Sequence, residues 1–133
     1  MSGMFGALDA AATGVTLGRT WMDVVGDNIA NVNTVRPAGE APFRAKLVVA
    51  QSMPGTEGVA VAGMVEQGGA PDLVYDPENP LADSAGYVTR PKVDLTEEMT
   101  NMLMAQRLYQ ANLSVMQQAR DSYQQALRLG PAQ

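Results

Sequence analysis

The prolines of this chain are confined to its middle. Seven of the eight lie between Pro37 and Pro91, and the eighth is Pro131. Because proline breaks helices, the two long proline-free ends can form helices, whereas the middle favours short strands and turns. The expected fold is mainly α with a small β part: N- and C-terminal helices paired as a coiled coil, with a short-stranded β-rich domain inserted between them.

Each proline-free end carries an apolar heptad, in which residues recur at alternating steps of three and four. The first seam consists of Met4, Leu8, Ala11, Val15, Gly18, Met22, Val25, Ile29 and Val32. The second seam consists of Met99, Met102, Gln106, Tyr109, Leu113, Met116, Arg120, Tyr123 and Leu127. We expect the apolar residues of these seams to form the helix-packing interface.

The first helix has a second apolar stripe beside its seam. That stripe consists of Ala10, Gly14, Leu17, Trp21 and Val24, prolonged by Asn28 and Asn31. A two-helix hairpin needs only one apolar face, so we expect this helix to touch neighbours on two sides, with Trp21 as a packing anchor of the interface. Its glycines each cost about 1 kcal/mol of helix propensity relative to alanine. They either permit close backbone approach or are tolerated in a helix held by ordinary tertiary contacts.

Turn and capping signals divide the chain into three parts. Residues 1–35 form the N-terminal helix of the coiled-coil domain, residues 36–93 the small β-rich domain, and residues 94–133 the C-terminal helix. Strands are expected at Phe43–Val49, where Phe43, Ala45, Leu47 and Val49 alternate with more polar positions, at Val59–Val65 and at Leu73–Tyr75. The segment Met53–Gly58 is expected to separate the first two as a hairpin-like loop. Asp94 is placed to cap the second helix, which is expected to end at Gly130 and Pro131.

Composition argues against several classes of function. Histidine and cysteine are both absent, which removes the usual zinc ligands, thiol nucleophiles and acid–base residue. We expect no catalytic residue, metal, cofactor or small-molecule substrate. No run of lysine or arginine could follow a phosphate backbone, so nucleic acid is not an expected partner. The start lacks the basic and apolar regions of a secretory signal, and we expect export by another route.

The densest acidic cluster lies in the proline-rich middle and consists of Asp72, Asp76, Glu78 and Asp83. Its spacing lacks the ligand order and the terminal bidentate glutamate of an EF-hand loop. Prolines lie between the carboxylates. We therefore interpret the cluster as a solvated surface turn.

The end of the first helix has an unusual density of asparagine. Three asparagines fall within six residues, although one would suffice to stop a helix. We interpret the segment as a helix end locked by side-chain hydrogen bonds and as an assembly motif, formed by Asn28, Ile29, Ala30, Asn31, Asn33 and Thr34.

This asparagine-rich segment resembles the signature of the flagellar rod and hook family. Further segments resemble the proximal rod proteins of that family, in the same order along nearly the whole chain: Met4–Ala11, Arg19–Asp23, Pro42–Lys46, Val74–Pro77, Gly86–Val88, Pro91–Asp94, Glu97–Met99 and Arg107–Asn112. Lys92 and Asp94 depart from the pattern, since the family usually has asparagines there. Asp94 keeps the capping role.

The resemblance implies a structural subunit of the bacterial flagellar basal-body rod. Such a subunit is carried by the flagellar type III export apparatus and assembles into a tube that crosses the periplasm, transmits torque and encloses the export channel. Its implied partners are copies of itself, other rod proteins, the export apparatus and basal-body ring components.

A second hypothesis is a soluble coiled-coil adaptor or regulator that forms a closed dimer. The two apolar stripes of the first helix argue against it, because a closed dimer would expose one of them to water. An enzyme is a third and weaker alternative.

Overall fold

The computed structural model describes residues 2–55 and 57–130, apart from the side chains of Ser2 and Met4. The place of Met4 in the first seam and the position of Pro131 therefore lie outside the described residues. Two helices account for about half of the chain, with short strands between them. The elements in chain order are α1 (Ser2–Ala30), β1 (Arg36–Pro37), β2 (Lys46–Ser52), β3 (Val59–Glu66), β4 (Asp72–Tyr75), β5 (Tyr87–Arg90) and α2 (Leu95–Leu129).

Both ends of α2 follow the capping signals of the sequence. The Asp94 carboxylate accepts hydrogen bonds from the backbone N–H groups of Thr96 at 2.8 Å and Glu97 at 3.2 Å. At the other end Gly130 adopts a positive φ of 56° and donates its N–H to the Leu127 carbonyl. The predicted capping role of Asp94 is confirmed.

The strands form two small antiparallel sheets. One is the β2–β3 hairpin, and the other has the order β1–β5–β4. The predicted strand at Phe43–Val49 is displaced by three residues, since β2 begins at Lys46. Its expected apolar face also differs, because Leu47 and Val49 are each 41% exposed. Sequence reasoning missed β1, a two-residue strand that contains Pro37 and pairs with β5.

The buried apolar core is small. Its described members are Ala11, Val24, Val25, Ala45, Val88 and Ala105. These residues belong to both helices and to the strand region, so the helices and the β part share one core. Neither helix has, within the described ranges, a stretch long and apolar enough to cross a membrane.

Candidate assembly surfaces

The two helices pack against each other in antiparallel orientation. Residues with increasing numbers along α1 contact residues with decreasing numbers along α2. The pairs are Phe5 with Tyr123, Gly14 with Asn112, Gly18 with Tyr109, and Asn28 with Glu98. The Phe5 and Tyr123 rings meet edge to face with centroids 5.8 Å apart. The contact therefore extends from the first turns of α1 to its last turn.

The face of α2 that is turned to α1 differs from the predicted seam at alternate positions. Met102, Tyr109, Met116 and Tyr123 are half buried, as a seam requires. At four of the other predicted positions, the residue one earlier in the sequence is buried or half buried: Glu98, Ala105, Asn112 and Ala119. Met99 is 56% exposed, and Leu113 is half buried. Sequence reasoning missed these four small or polar residues, although their seven-residue spacing was a signal.

Two glycines of α1 permit this close packing. A Cβ atom on Gly18 would lie 3.1 Å from the Cα and N atoms of Tyr109, and one on Gly14 would lie 2.5 Å from the Asn112 side-chain amide. At Gly26 the nearest atom would be 3.9 Å away, and at Gly6 nothing lies within 4 Å. Close approach thus explains Gly14 and Gly18, whereas Gly6 and Gly26 are merely tolerated.

Asn28 joins three elements of the fold. Its side chain is fully buried. The Asn28 Nδ2 group donates to the Lys46 carbonyl at 2.9 Å and to the Glu98 carboxylate at 3.1 Å, while Asn28 Oδ1 accepts from the Lys46 N–H at 2.9 Å. One amide therefore links the end of α1 to the start of β2 and to the first turn of α2. Glu98, 3% exposed, was not foreseen as a buried residue.

Asn28 and Thr13 of α1 form hydrogen bonds with the outer edges of the β2–β3 hairpin. Gln67 donates to the Ala45 carbonyl across the hairpin, so in the alternating antiparallel pattern the backbone groups of Lys46 point away from β3, towards Asn28. At the loop end, the Val59 N–H donates to Thr13 Oγ1 at 3.1 Å. Side chains of α1 thus replace a neighbouring strand at one point on each edge of the hairpin.

The remaining residues of the predicted assembly motif have distinct environments. Asn31 is half buried, donates to the Asp27 carbonyl at 2.9 Å, and accepts from the Thr34 hydroxyl at 3.1 Å. Ile29 is half buried, whereas Ala30 and Asn33 are exposed. Hydrogen bonds from Asn28 and Asn31 therefore hold the helix end, while Ala30 and Asn33 remain available to solvent.

α1 is covered on both of its apolar sides. In its seam, Val25 is 2% exposed, and Leu8, Val15 and Met22 are half buried. In its second stripe Val24 is 7% exposed, and Ala10, Leu17 and Trp21 are half buried. Thr13 and Asn28 tie that side of the helix to the β2–β3 hairpin. The expected second neighbour of α1 is thus the hairpin of the same chain.

α2 has an uncovered apolar flank. Leu95, Met99 and Leu103 follow one another at four-residue spacing and are 44%, 56% and 58% exposed. We call these three residues the outer ridge of α2. On another part of the helix surface, Met104 and Val115 are 48% and 44% exposed. Apart from Phe5, which is 49% exposed near the start of α1, the exposed large apolar side chains of the helix pair therefore belong to α2.

Two models of flagellar protein families match the chain. The model described as flagella basal body rod protein matches residues 8–37, and the one described as flagellar basal body rod FlgEFG protein C-terminal matches residues 84–129. These ranges contain most of α1 and all of α2.

Similar proteins resemble the chain over nearly its whole length. The flagellar basal-body rod protein FlgC of Escherichia coli O6:H1 is 40% identical over 126 residues, covering 92% of this chain and 94% of the relative. The FlgC proteins of Bacillus subtilis and Borreliella burgdorferi are 35% and 31% identical. They cover 95% and 96% of this chain, and 97% of each relative.

Proposed function

Because this chain belongs to the FlgC family of flagellar basal-body rod proteins, we propose that it joins its neighbours in the rod mainly through the outer ridge of α2. The family is a structural, non-enzymatic component of the rod, and its members assemble with other flagellar rod proteins.

The observation that carries the proposal is the exposure of Leu95, Met99 and Leu103 on a flank of α2, beside the face that already packs against α1. Burying an exposed leucine or methionine side chain contributes about 1.5 to 3 kcal/mol. Four-residue spacing places the three side chains along one line on the helix, which suits packing against a second helix. A neighbouring subunit with an apolar helix would cover this ridge.

In the assembled rod, α1 and α2 act as one helical unit, with residues 36–93 as a second unit beside it. The paired helices supercoil as a coiled coil, line a tube that encloses the export channel, and transmit torque through many packed contacts. The subunit reaches the periplasm through the flagellar type III export apparatus without a cleaved signal peptide. Basal-body ring components are further partners. The resemblance to rod proteins supports these four statements.

The predicted interface and assembly residues have separate tasks in this proposal. Leu8, Val15, Trp21, Met22, Val25, Met102, Tyr109, Met116 and Tyr123 hold the subunit together. Met99 and Leu113 extend towards neighbours. Exposed Ala30 and Asn33 in the asparagine-rich segment touch an adjacent subunit, while Asn28, Ile29, Asn31 and Thr34 fix the shape of that segment.

The test is a charge placed on the outer ridge. Leu103→Asp and Met99→Asp should leave the free energy of unfolding of the purified subunit within about 0.5 kcal/mol of the parent value, because both sites are exposed. The same variants should be missing from isolated basal bodies, and the cells should not swim. Immunoblots of basal bodies and soft-agar motility measure these outcomes.

Gln124→Asp serves as the matched control, since Gln124 is an exposed polar residue near the far end of the same helix. It should assemble normally. Full incorporation of Leu103→Asp would show that neighbours bind elsewhere. The closed-dimer hypothesis would instead give a dimer of fixed size and no copy of this chain in basal bodies.

A further inference from the structure

An open groove lies between the first turns of α1 and the loop that joins β2 to β3. It has a volume of about 560 Å³. Gly3, Gly6, Asp9 and Thr13 of α1 line one wall, and Met53 and Glu57 line the other. We call it the α1–loop groove.

The α1 wall of the groove is open because the helix presents glycines there. A Cβ atom on Gly3 or Gly6 would meet nothing within 4 Å, and neither glycine has a positive φ. No contact among the described residues therefore requires glycine at these positions, although glycine lowers helix propensity. A helix surface without side chains does permit close approach by another molecule.

Each wall of the groove carries one carboxylate. Asp9 and Glu57 are both exposed, and neither forms an ion pair within the described ranges. The Thr13 hydroxyl is already engaged, since it donates to the Ala10 carbonyl at 2.7 Å and accepts from the Val59 N–H at 3.1 Å. The groove therefore suits a partner that presents one cation beside apolar side chains.

α2 presents this combination at the end of its outer ridge. Arg107 is exposed, and Leu103 and Met104 are 58% and 48% exposed. Because residues three and four apart are neighbours on a helix surface, the guanidinium lies beside both apolar side chains. Arg107 has no ion-pair partner in the part of the chain that the structure describes.

The other three arginines of the helices lack such surroundings. The residues three and four positions before them are Thr16 and Val15 for Arg19, Gln117 and Met116 for Arg120, and Gln125 and Gln124 for Arg128. Each pair contains at least one polar residue, and both Val15 and Met116 are half buried. Arg107 is therefore the helical arginine that matches the groove.

We propose that the α1–loop groove receives Arg107, Leu103 and Met104 from α2 of a second copy of this chain. The guanidinium pairs with Asp9 and Glu57, and the two apolar side chains lie against the glycine wall. Groove and ridge are different surfaces, so the contact is heterologous and copies can add in an open series, as a tubular rod requires. The inference rests on the proposed role of the outer ridge and names the surface that receives its Leu103 end.

Disulfide crosslinking between two variants tests this contact. The chain contains no cysteine, so introduced cysteines have no background within this protein. A Glu57→Cys chain and an Arg107→Cys chain are produced together in cells that lack the unmodified protein, and isolated basal bodies are oxidised mildly. The expected product is a disulfide-linked dimer of the two variants, identified by non-reducing electrophoresis and mass spectrometry, whereas neither variant alone should form a dimer.

Asp121→Cys in place of Arg107→Cys is the matched control, since Asp121 is exposed on the same helix, and it should give little dimer. Equal yields from Arg107→Cys and Asp121→Cys would overturn the inference. A dimer formed by one variant alone, or a disulfide between Glu57→Cys and a different rod protein, would overturn it as well.

A charge exchange tests the pairing itself. Arg107→Glu should lower the amount of this chain in basal bodies about tenfold, because it brings a third carboxylate to the groove. Arg120→Glu, at another exposed arginine of α2, should leave the amount unchanged. Adding Asp9→Arg and Glu57→Arg to Arg107→Glu reverses both sides of the contact and should restore the amount. Equal incorporation of the two single variants, or no restoration in a triple variant with the parent's unfolding temperature, would contradict the pairing.

The outcomes also separate the inference from the proposed function. If Leu103→Asp is missing from basal bodies while Glu57→Cys and Arg107→Cys form no dimer, the ridge contacts a neighbour at another surface, and only the inference fails. If Leu103→Asp is fully incorporated, the proposed function itself fails.

Discussion

The two helices look alike in sequence and differ in what the fold does with them. Both carry more apolar surface than one partner helix covers. α1 is enclosed by α2 on one side and by the β2–β3 hairpin on the other, through Asn28 and Thr13. Among the described helices and strands, α2 packs against α1 alone, and it leaves Leu95, Met99 and Leu103 exposed. We infer that substitutions on α1 act mainly on folding, and those on the outer ridge of α2 mainly on assembly.

The largest expected effect on α1 is at Asn28. Asn28→Ala removes three hydrogen bonds and leaves the Lys46 backbone groups and the buried Glu98 carboxylate without that partner, so it should lower the free energy of unfolding by about 3 to 5 kcal/mol. Urea unfolding measures the change. Glu98→Gln keeps an acceptor for Asn28 Nδ2 and should cost about 1 kcal/mol. A loss below about 1 kcal/mol for Asn28→Ala would contradict the role of Asn28 as the junction.

A matched pair of valines compares the two helices directly. Val25 in α1 is 2% exposed, and Val115 in α2 is 44% exposed. Val25→Ala should destabilise the subunit by about 2 kcal/mol, from lost burial and the cavity left behind, whereas Val115→Ala should change stability by less than about 0.5 kcal/mol. Thermal unfolding of both variants tests this, and equal losses would mean that α2 is covered as fully as α1.

Replacing Gly18 and Gly6 of α1 with alanine should change the free energy of unfolding in opposite directions. At Gly18 the new methyl group meets the Tyr109 backbone, which cannot move aside easily, and the net cost should be about 1 to 2 kcal/mol despite the better helix propensity of alanine. At Gly6 the space is open, and alanine should stabilise the helix by up to about 1 kcal/mol. Denaturant midpoints of the two variants should move in opposite directions. Stabilisation by Gly18→Ala would disprove the close approach.

The smallest expected effect concerns the edge of the hairpin. Thr13→Val keeps the size of the side chain and removes the acceptor for the Val59 N–H, so it should cost about 1 kcal/mol. Hydrogen exchange at the Val59 amide should become faster, while exchange at amides of α2 stays unchanged. If protection at Val59 persists, Thr13 does not protect that edge. Thr16→Val is a suitable control, because Thr16 bonds only within its own helix.

Much of this fold follows from local patterns in the sequence. The absence of proline from both ends of the chain predicted the two helices. Asp94 and Gly130 predicted the two ends of α2. The hairpin loop between β2 and β3 was recognisable from Pro54, Gly55 and Gly58. β1 was not, because its pairing with β5 depends on a strand about fifty residues away and its own residues have no strand signal.

The seam of α2 shows where periodicity fails. The hydrophobic pattern selected Met99, while the fold buries Glu98, one residue earlier, and it leaves Asn112 as covered as the predicted Leu113. The buried positions are small or polar because Gly14 and Gly18 bring the helices close together and because Asn28 supplies a hydrogen bond to Glu98. Neither reason is visible until both helices are placed side by side.

The sequence by itself determined that two terminal helices flank a small β part, that no histidine or cysteine chemistry is available, and that the chain resembles flagellar rod proteins. Those conclusions rest on local propensity and composition, which each segment carries without its neighbours. Only the tertiary structure decided that α1 is largely enclosed and α2 is not, and that one asparagine joins three elements. Each of those facts depends on contacts between residues that are far apart in the sequence, and those contacts determine which side chains are buried.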